Sequence, residues 1–284
     1  MNRFNVRKVA VLGAGVMGAQ IAAHLVNARI QAVLFDLPAS EGPKSGIAMK
    51  AIAALAKMNP APLARPDLAA FIQPANYEDD LERLRECDLV IEAIAERIDW
   101  KLDLYRKITP FLAPGAIFAT NTSGLSIASL AAGINGDAKT RFCGAHFFNP
   151  PRYMPLVELI AAPHTDPAVL DQLETFLTTP LGKTCVRAKD TPNFIGNRIG
   201  IWGILATVRE AERFGLSTDV VDDLTGAKLG RAKSGTFRTA DIVGLDTVGH
   251  VMQTMQQHLA DDPFRALYDT PPIFATLIDR GALG

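Results

Sequence analysis

The sequence predicts an α/β protein: a doubly wound parallel sheet followed by a smaller all-α domain. Three observations carry this. Short apolar, β-branched runs such as "KVAVL", "AVLFD" and "CDLVIEAI" alternate with segments of helical apolar spacing, the pattern of parallel strands joined by crossover helices. Polar residues gather where the runs end, which is where open parallel sheets bind ligands. After "AKDTPNFIGNR" the runs stop and only helical spacing continues. A boundary near 187–190 follows, with residues 1–188 forming the sheet domain and 189–284 the helical one.

Composition limits the function classes. A chain of 284 residues with 48% hydrophobic and 21% charged residues is an ordinary globular protein of one to two domains. Its net charge of -1 offers no bulk attraction for nucleic acid. Cys87, Cys143 and Cys185 are far apart with no C-x-x-C, which argues against a disulfide framework or a zinc site and fits a reducing compartment. The apolar stretches are shorter than the roughly 20 residues a membrane span needs. The opening "MNRFNVRKVAVLG" enters a strand after a short polar lead rather than forming a signal peptide. The expectation is a cytoplasmic protein with no membrane insertion and no metal.

The first element is a buried strand over Val9–Leu12. It runs into Gly13-x-Gly15-x-x-Gly18 and then into a helix with Ile21, Leu25 and Ala28 on one face. A second strand, Ala32–Phe35, ends in Asp36. The glycine at 13 permits the tight turn, that at 15 lets a pyrophosphate approach the backbone, and that at 18 lets helix pack on strand. The helix N-terminus offers N–H donors and a positive dipole end to phosphate. Asp36 can accept both ribose hydroxyls and would repel a 2′-phosphate, favouring NAD over NADP. Strand, glycines, helix, strand and acid in this order predict a Rossmann-type dinucleotide site in which Gly13, Gly15, Val16, Met17, Gly18 and Asp36 bind NAD.

The stretch "EGPKSGIAMKAIAALAKMNPAPLARPDL" reads as a helix ending near Met58, then a Pro-rich loop. Lys50 and Lys57 would share a face of it, either solvated or facing a phosphate-rich substrate tail. "EDDLERLRE" reads as a solvated helix face. "CDLVIEAI" is the next strand, and "ERIDWKLDLYRKITPFL" a helix with Ile98, Leu102, Tyr105 and Ile108 inward and Glu96 and Lys101 flanking its start. "GAIFATNTSGLSI" is a strand entering the polar turn Asn121-Thr122-Ser123. "RFCGAHFF", "YMPLVELI" and "KTCVRA" complete the sheet. In the helical part, "FIGNRIGIWGILATVREAERFG" is a long helix stopped by Gly215, and Ser217 or Thr218 caps the next.

In "GAHFFNPPRYMPLVELI" one histidine, His146, and one glutamate, Glu158, each sit in an apolar run. Pro150, Pro151 and Pro155 force two short extended pieces joined by a turn. The two groups are either partners or a satisfied core histidine and an unrelated acid. As partners, the carboxylate fixes the tautomer of the imidazole, whose other nitrogen then serves as a base.

The blocks "VLGAGVMGAQIA", "IEAIAERIDWK", "NTSGLSI", "HFFNPPRYMPLVE" and "KDTPNFIGNRI", in this order, make the chain resemble the L-3-hydroxyacyl-CoA dehydrogenase family of fatty-acid β-oxidation nearly end to end. The resemblance implies an NAD-dependent oxidoreductase interconverting (S)-3-hydroxyacyl-CoA and 3-oxoacyl-CoA. It places the catalytic base at His146, its orienting partner at Glu158, and substrate- and nicotinamide-side groups at Ser123 and Asn197. It puts further cofactor contacts at Glu96, Lys101 and Asn149, and a lysine meeting the CoA phosphates at Lys57. A homodimer through the helical domain is implied by the resemblance and by the apolar "FIGNRIGIWGILATV". The Pro-rich "NPAPLARPDL" is similar to that of longer members in which this portion precedes an enoyl-CoA hydratase portion. Relatives carry a Lys/Gly-rich segment beyond "GLDTVGHV" where this sequence reaches "LIDRGALG", so the expectation includes a piece of a longer protein, with a fused or missing hydratase portion. Two other readings keep the fold: a β-hydroxyacid dehydrogenase on a non-CoA substrate, and a non-catalytic NAD-binding protein.

Overall fold

In the computed structural model, which describes residues 4–284, the chain forms two compact units. One ends at Asp190 and the other is Thr191–Gly284. The first unit holds β1 (Lys8–Leu12), α1 (Val16–Asn27), β2 (Gln31–Asp36), α2 (Gly46–Ala54), β3 (Ile72–Asn76) and β4 (Leu89–Glu92). It continues with α3 (Ile98–Ile108), β5 (Ile117–Thr120), α4 (Ile127–Ala131), β6 (Phe142–Phe147), β7 (Leu156–Ala161), α5 (Pro167–Thr178) and β8 (Thr184–Ala188). The strands form one sheet in the order β3-β2-β1-β4-β5-β6-β7-β8. The order reverses between β1 and β4, so the loops leaving these two strands diverge and open a crevice at their C-terminal ends. The central strands are buried along their length: Val9–Leu12, Ala32–Phe35 and Leu89–Ile91 are at most 1% exposed. That is why they read as unbroken apolar runs rather than alternating ones.

The sheet departs from a wholly parallel one at a single junction. β1 to β6 pair in parallel, β7 runs antiparallel to β6, and β8 is parallel to β7. The segment 148–155 between β6 and β7 is too short for a crossover, which takes a dozen or more residues, so the two strands close as a hairpin. β3, "IQPAN", was not among the expected strands. Its Pro74 removes a ladder donor, which an edge strand tolerates.

Three expected helices differ in detail. α2 stops at Ala54, and a 3-10 turn, Leu55–Lys57, takes the chain to an extended Met58 ahead of Pro60. The charge run folds as a 3-10 turn, Leu81–Glu86, whose Leu81 and Leu84 are buried. Three residues per turn stack that pair on one side. α3 buries Lys101, Leu104, Tyr105 and Ile108, while Ile98 is exposed. Its inward face is thus rotated from the expected one to take in a lysine, because a carboxylate at the end of β4 waits for it.

The second unit is helical: α6 (Gly196–Phe214), α7 (Thr218–Thr225), α8 (Phe237–Val243), α9 (Leu245–His258) and α10 (Pro272–Asp279). Its core joins Leu205 and Val208 of α6 to Val248, Met252 and Met255 of α9 and Phe274 of α10. Gly215 ends α6 in the left-handed conformation at φ 63°, where a Cβ would be strained, and Ser217 stands at the N-cap of α7. No helix among the described residues is long and apolar enough to cross a membrane.

Candidate active site

The first part of the site is the turn from β1 into α1. Gly13 has φ +102°, and a Cβ there would lie 2.7 Å from the Ala93 carbonyl oxygen. At Gly18 a Cβ would be 1.8 Å from the Gly13 carbonyl oxygen, so helix and turn touch backbone to backbone. Gly15 differs, since a Cβ there meets no atom within 4 Å. The fold does not need glycine at 15, but a ligand lying against that backbone would. Among the described residues no side chain caps α1 and no acid lies in its first turn, which leaves its N–H groups for an anion. Asp36 closes β2 with Oδ2 accepting from Ala14 N at 2.6 Å and Oδ1 from Leu37 N at 2.7 Å. Val16 is exposed and Met17 half-buried on the same turn. Glycine beneath open space, an uncapped twelve-residue helix and a fixed carboxylate fit a dinucleotide.

The second part is a buried charge network at the ends of β4 and β5. Glu92 is fully buried. Its Oε1 accepts from Lys101 Nζ at 2.6 Å and from Ile94 N at 2.7 Å. Its Oε2 accepts from Tyr105 OH at 2.6 Å and Thr120 Oγ1 at 2.7 Å. Burial, then the Glu92 charge, push the Tyr105 phenol well above its ordinary range, so it stays a donor. Lys101, 1% exposed, also lies 3.5 Å from Glu96 Oε2. Glu96 Oε1 in turn accepts from Thr122 Oγ1 at 2.5 Å, Ser123 N at 2.7 Å and Gly124 N at 3.0 Å. The polar turn after β5 is therefore tied down by one carboxylate, with Ser123 exposed at its tip.

The third part is the β6–β7 hairpin. His146 and Glu158 are directly opposite partners in the antiparallel register. They are 3% and 1% exposed, and His146 Nδ1–H donates to Glu158 Oε2 at 2.7 Å. The Phe148 ring, with its centroid 4.4 Å from that of His146, limits imidazole rotation. Buried Lys183 holds the connecting turn from within, donating to the carbonyls of Pro151 and Met154. Gln20 Nε2 donates to Asn149 Oδ1 at 3.3 Å, bringing Asn149 to α1. Arg152 and Tyr153 donate to carbonyls of the Pro-rich loop at Ala61 and Leu63. Asn121 Oδ1 accepts from Phe147 N at 2.9 Å, joining the β5 turn to β6.

Lys57 is exposed on the 3-10 turn after α2, and Lys50 is exposed on α2 itself. Asn197 is the second residue of α6, in the second unit. Tyr105 was expected only as an inward apolar position of α3, and the sequence did not point to site roles for Glu92, Thr120, Lys183 and Asp190. The last caps α4, accepting from Ser126 Oγ, Ile127 N and Ala128 N. Glu92 did carry a signal, as a lone acid ending an apolar strand just as Asp36 does. The three cysteines are free, and no group of side chains among the described residues could hold a metal ion.

Residues 8–191 match the family model of the 3-hydroxyacyl-CoA dehydrogenase NAD binding domain, and residues 194–284 that of the C-terminal domain. A Deinococcus radiodurans protein named "Probable 3-hydroxyacyl-CoA dehydrogenase" is 42% identical over 280 residues, covering 98% of this chain and 80% of that protein. A Bacillus subtilis protein of the same name is 40% identical over 295 residues, covering 99% of this chain but 37% of its own length. Among solved structures, (S)-3-hydroxybutyryl-CoA dehydrogenase from Ralstonia eutropha superimposes with a TM-score of 0.80 at 28% identity, covering 99% of this chain and 96% of that one.

Proposed function

Because this chain belongs to the 3-hydroxyacyl-CoA dehydrogenase family, we propose that it interconverts (S)-3-hydroxyacyl-CoA and 3-oxoacyl-CoA with NAD, with the cofactor domain in residues 1–188 and the helical domain in 189–284. The observation that carries the reading is the buried His146–Glu158 pair. Nδ1 is committed to the carboxylate, so Nε2 is the nitrogen that takes the proton of the substrate C3 hydroxyl. Glu158 balances the positive charge the imidazole then acquires. Bound NAD would supply the acceptor for the hydride leaving C3. Gly13, Gly15, Val16, Met17, Gly18 and Asp36 are the residues that would hold its adenosine and pyrophosphate, with Glu96, Lys101 and Asn149 toward the nicotinamide end. Ser123 would donate to the reacting oxygen. Asn197 keeps its substrate-side role, and Lys57 its contact with CoA phosphate, on the resemblance alone.

The same reading includes a homodimer formed by the second unit. Ile195 and Ile199 lie exposed one turn apart at the start of α6, and Val220 and Leu224 one turn apart on α7. A sedimentation experiment finding only monomer removes this part. The reaction itself is tested by NADH oxidation with acetoacetyl-CoA, compared with free acetoacetate. Turnover with the thioester alone is expected, and equal turnover with both refutes CoA recognition. His146→Gln should abolish that turnover and leave NADH affinity unchanged. Surviving turnover would refute the assignment of the base.

A further inference from the structure

Lys101 stands among the expected cofactor contacts, yet its side chain is 1% exposed and its ammonium group is enclosed by Glu92 Oε1, the Ile94 carbonyl at 3.4 Å and Glu96 Oε2. We infer that Glu92 is a positioning residue for the reaction: through Lys101 it fixes the carboxylate of Glu96, and through that carboxylate it sets the place of Ser123. The inference rests on the proposed role of Ser123.

Each link is geometric. Glu92 accepts four donors, two on each oxygen, so its orientation is fully determined. The donors come from three elements, α3, β5 and the loop after β4, so the carboxylate is a joint between them. A buried ion pair contributes little net stability, because desolvation offsets the attraction. What such a pair does supply is a fixed point for a cation. Lys101 thus sits beneath Glu96, whose side chain is 42% exposed and without an anchor would sample many rotamers. Held at Oε2 by the ammonium, Glu96 offers Oε1 to Thr122 Oγ1 and to the amides of Ser123 and Gly124. The turn carrying the Ser123 hydroxyl is placed by these bonds, and Ser123 itself is exposed. Misplacing a positioned group by about 1 Å can cost on the order of a hundredfold in rate.

The test is Glu92→Gln in the full chain, which keeps the shape of the residue and removes the charge that holds Lys101. Amide hydrogen exchange at Ser123 and Gly124 should rise about tenfold, with the amides of β4 and β5 changing less than about threefold. A purely structural role would raise exchange across the sheet instead. Turnover at saturating NADH should fall about tenfold, and in a Ser123→Ala background the same substitution should cost less than about twofold. Unchanged exchange at Ser123 and Gly124, or an equal cost in both backgrounds, overturns the inference. If Glu92→Gln does not fold, the uncharged double variant Glu92→Gln/Lys101→Met takes its place, read by hydrogen exchange at Ser123 and Gly124 alone. If the wild-type chain shows no turnover, the functional reading fails and the exchange measurement alone decides the link from Glu92 to the Ser123 turn.

Discussion

Replacing Glu158 by glutamine separates the electrostatic contribution of the His146–Glu158 pair from its geometry. Glutamine has the same shape and still offers an oxygen to Nδ1–H, at 2.7 Å in the native pair. What is lost is the attraction between a carboxylate and an imidazolium that exists only once His146 has taken a proton. Two unit charges about 4 Å apart at an effective dielectric near 20 attract by about 4 kcal/mol. The neutral hydrogen bond that glutamine retains recovers about 1 kcal/mol. The remaining ~3 kcal/mol falls on the transition state and corresponds to roughly a hundredfold loss of kcat. The assay is kcat at saturating NADH and acetoacetyl-CoA, with NADH affinity measured in parallel and expected to hold. Stability should be equal or slightly raised, since a buried charge has been removed. A variant that turns over within threefold of the wild type would refute the reasoning, because the imidazole would then not become cationic beside Glu158.

Three further outcomes are expected. Gly15→Ala should fold with native stability and lose NADH affinity, whereas Gly18→Ala, whose Cβ would fall 1.8 Å from the Gly13 carbonyl oxygen, should be destabilised. Equal melting temperatures for the two would contradict this. Asp36→Ala removes the charge at the end of β2 that would meet a 2′-phosphate, so the ratio of kcat/KM for NADPH to that for NADH should rise about tenfold or more. An unchanged ratio would place the ribose elsewhere. Burial first, then the Lys183 charge, lower the His24 pKa from 6.5 to about 4. The native state binds fewer protons there than the unfolded chain, so stability present above the unfolded value is lost as pH falls from 6.5 toward about 4. The loss is on the order of 3 kcal/mol at most. Urea midpoints across that window should fall less steeply in His24→Gln, and parallel slopes would refute the assignment.

Much of the first unit was legible because its local signals agree. β1, the three glycines, α1, β2 and Asp36 each follow from a steric or electrostatic requirement that acts within a few residues. Two short extended pieces joined by a turn were legible too, from the prolines between His146 and Glu158, though not their antiparallel pairing. What escaped the sequence is what depends on partners distant along the chain. Lys101 was expected to flank the start of α3 and, from the resemblance, to contact the cofactor; only the placement of β4 beside β5 makes its burial intelligible, by supplying Glu92 and Thr120. The inward face of α3 was misread for the same reason: a lysine in an apolar stripe counts against burial until its counter-charge is known. β3 was missed because edge strands need neither continuous apolar residues nor every ladder donor, so "IQPAN" carries almost no signal of its own. The reversal of β7 was implicit in the short turn, but the rhythm of strand and helix elsewhere suggested a uniformly parallel sheet.

The facing register of β6 and β7 has a consequence for how the protein acquires activity. Side chains in a strand alternate between faces, so a slip of one residue in this hairpin carries one of the two side chains to the opposite side of the sheet. There is no halfway arrangement in which the imidazole is weakly supported, and a molecule either has the couple or lacks it. Specific activity in a refolding population thus counts the molecules whose hairpin has closed in register. The return of turnover would then time the zippering of these two strands, with no probe attached to either.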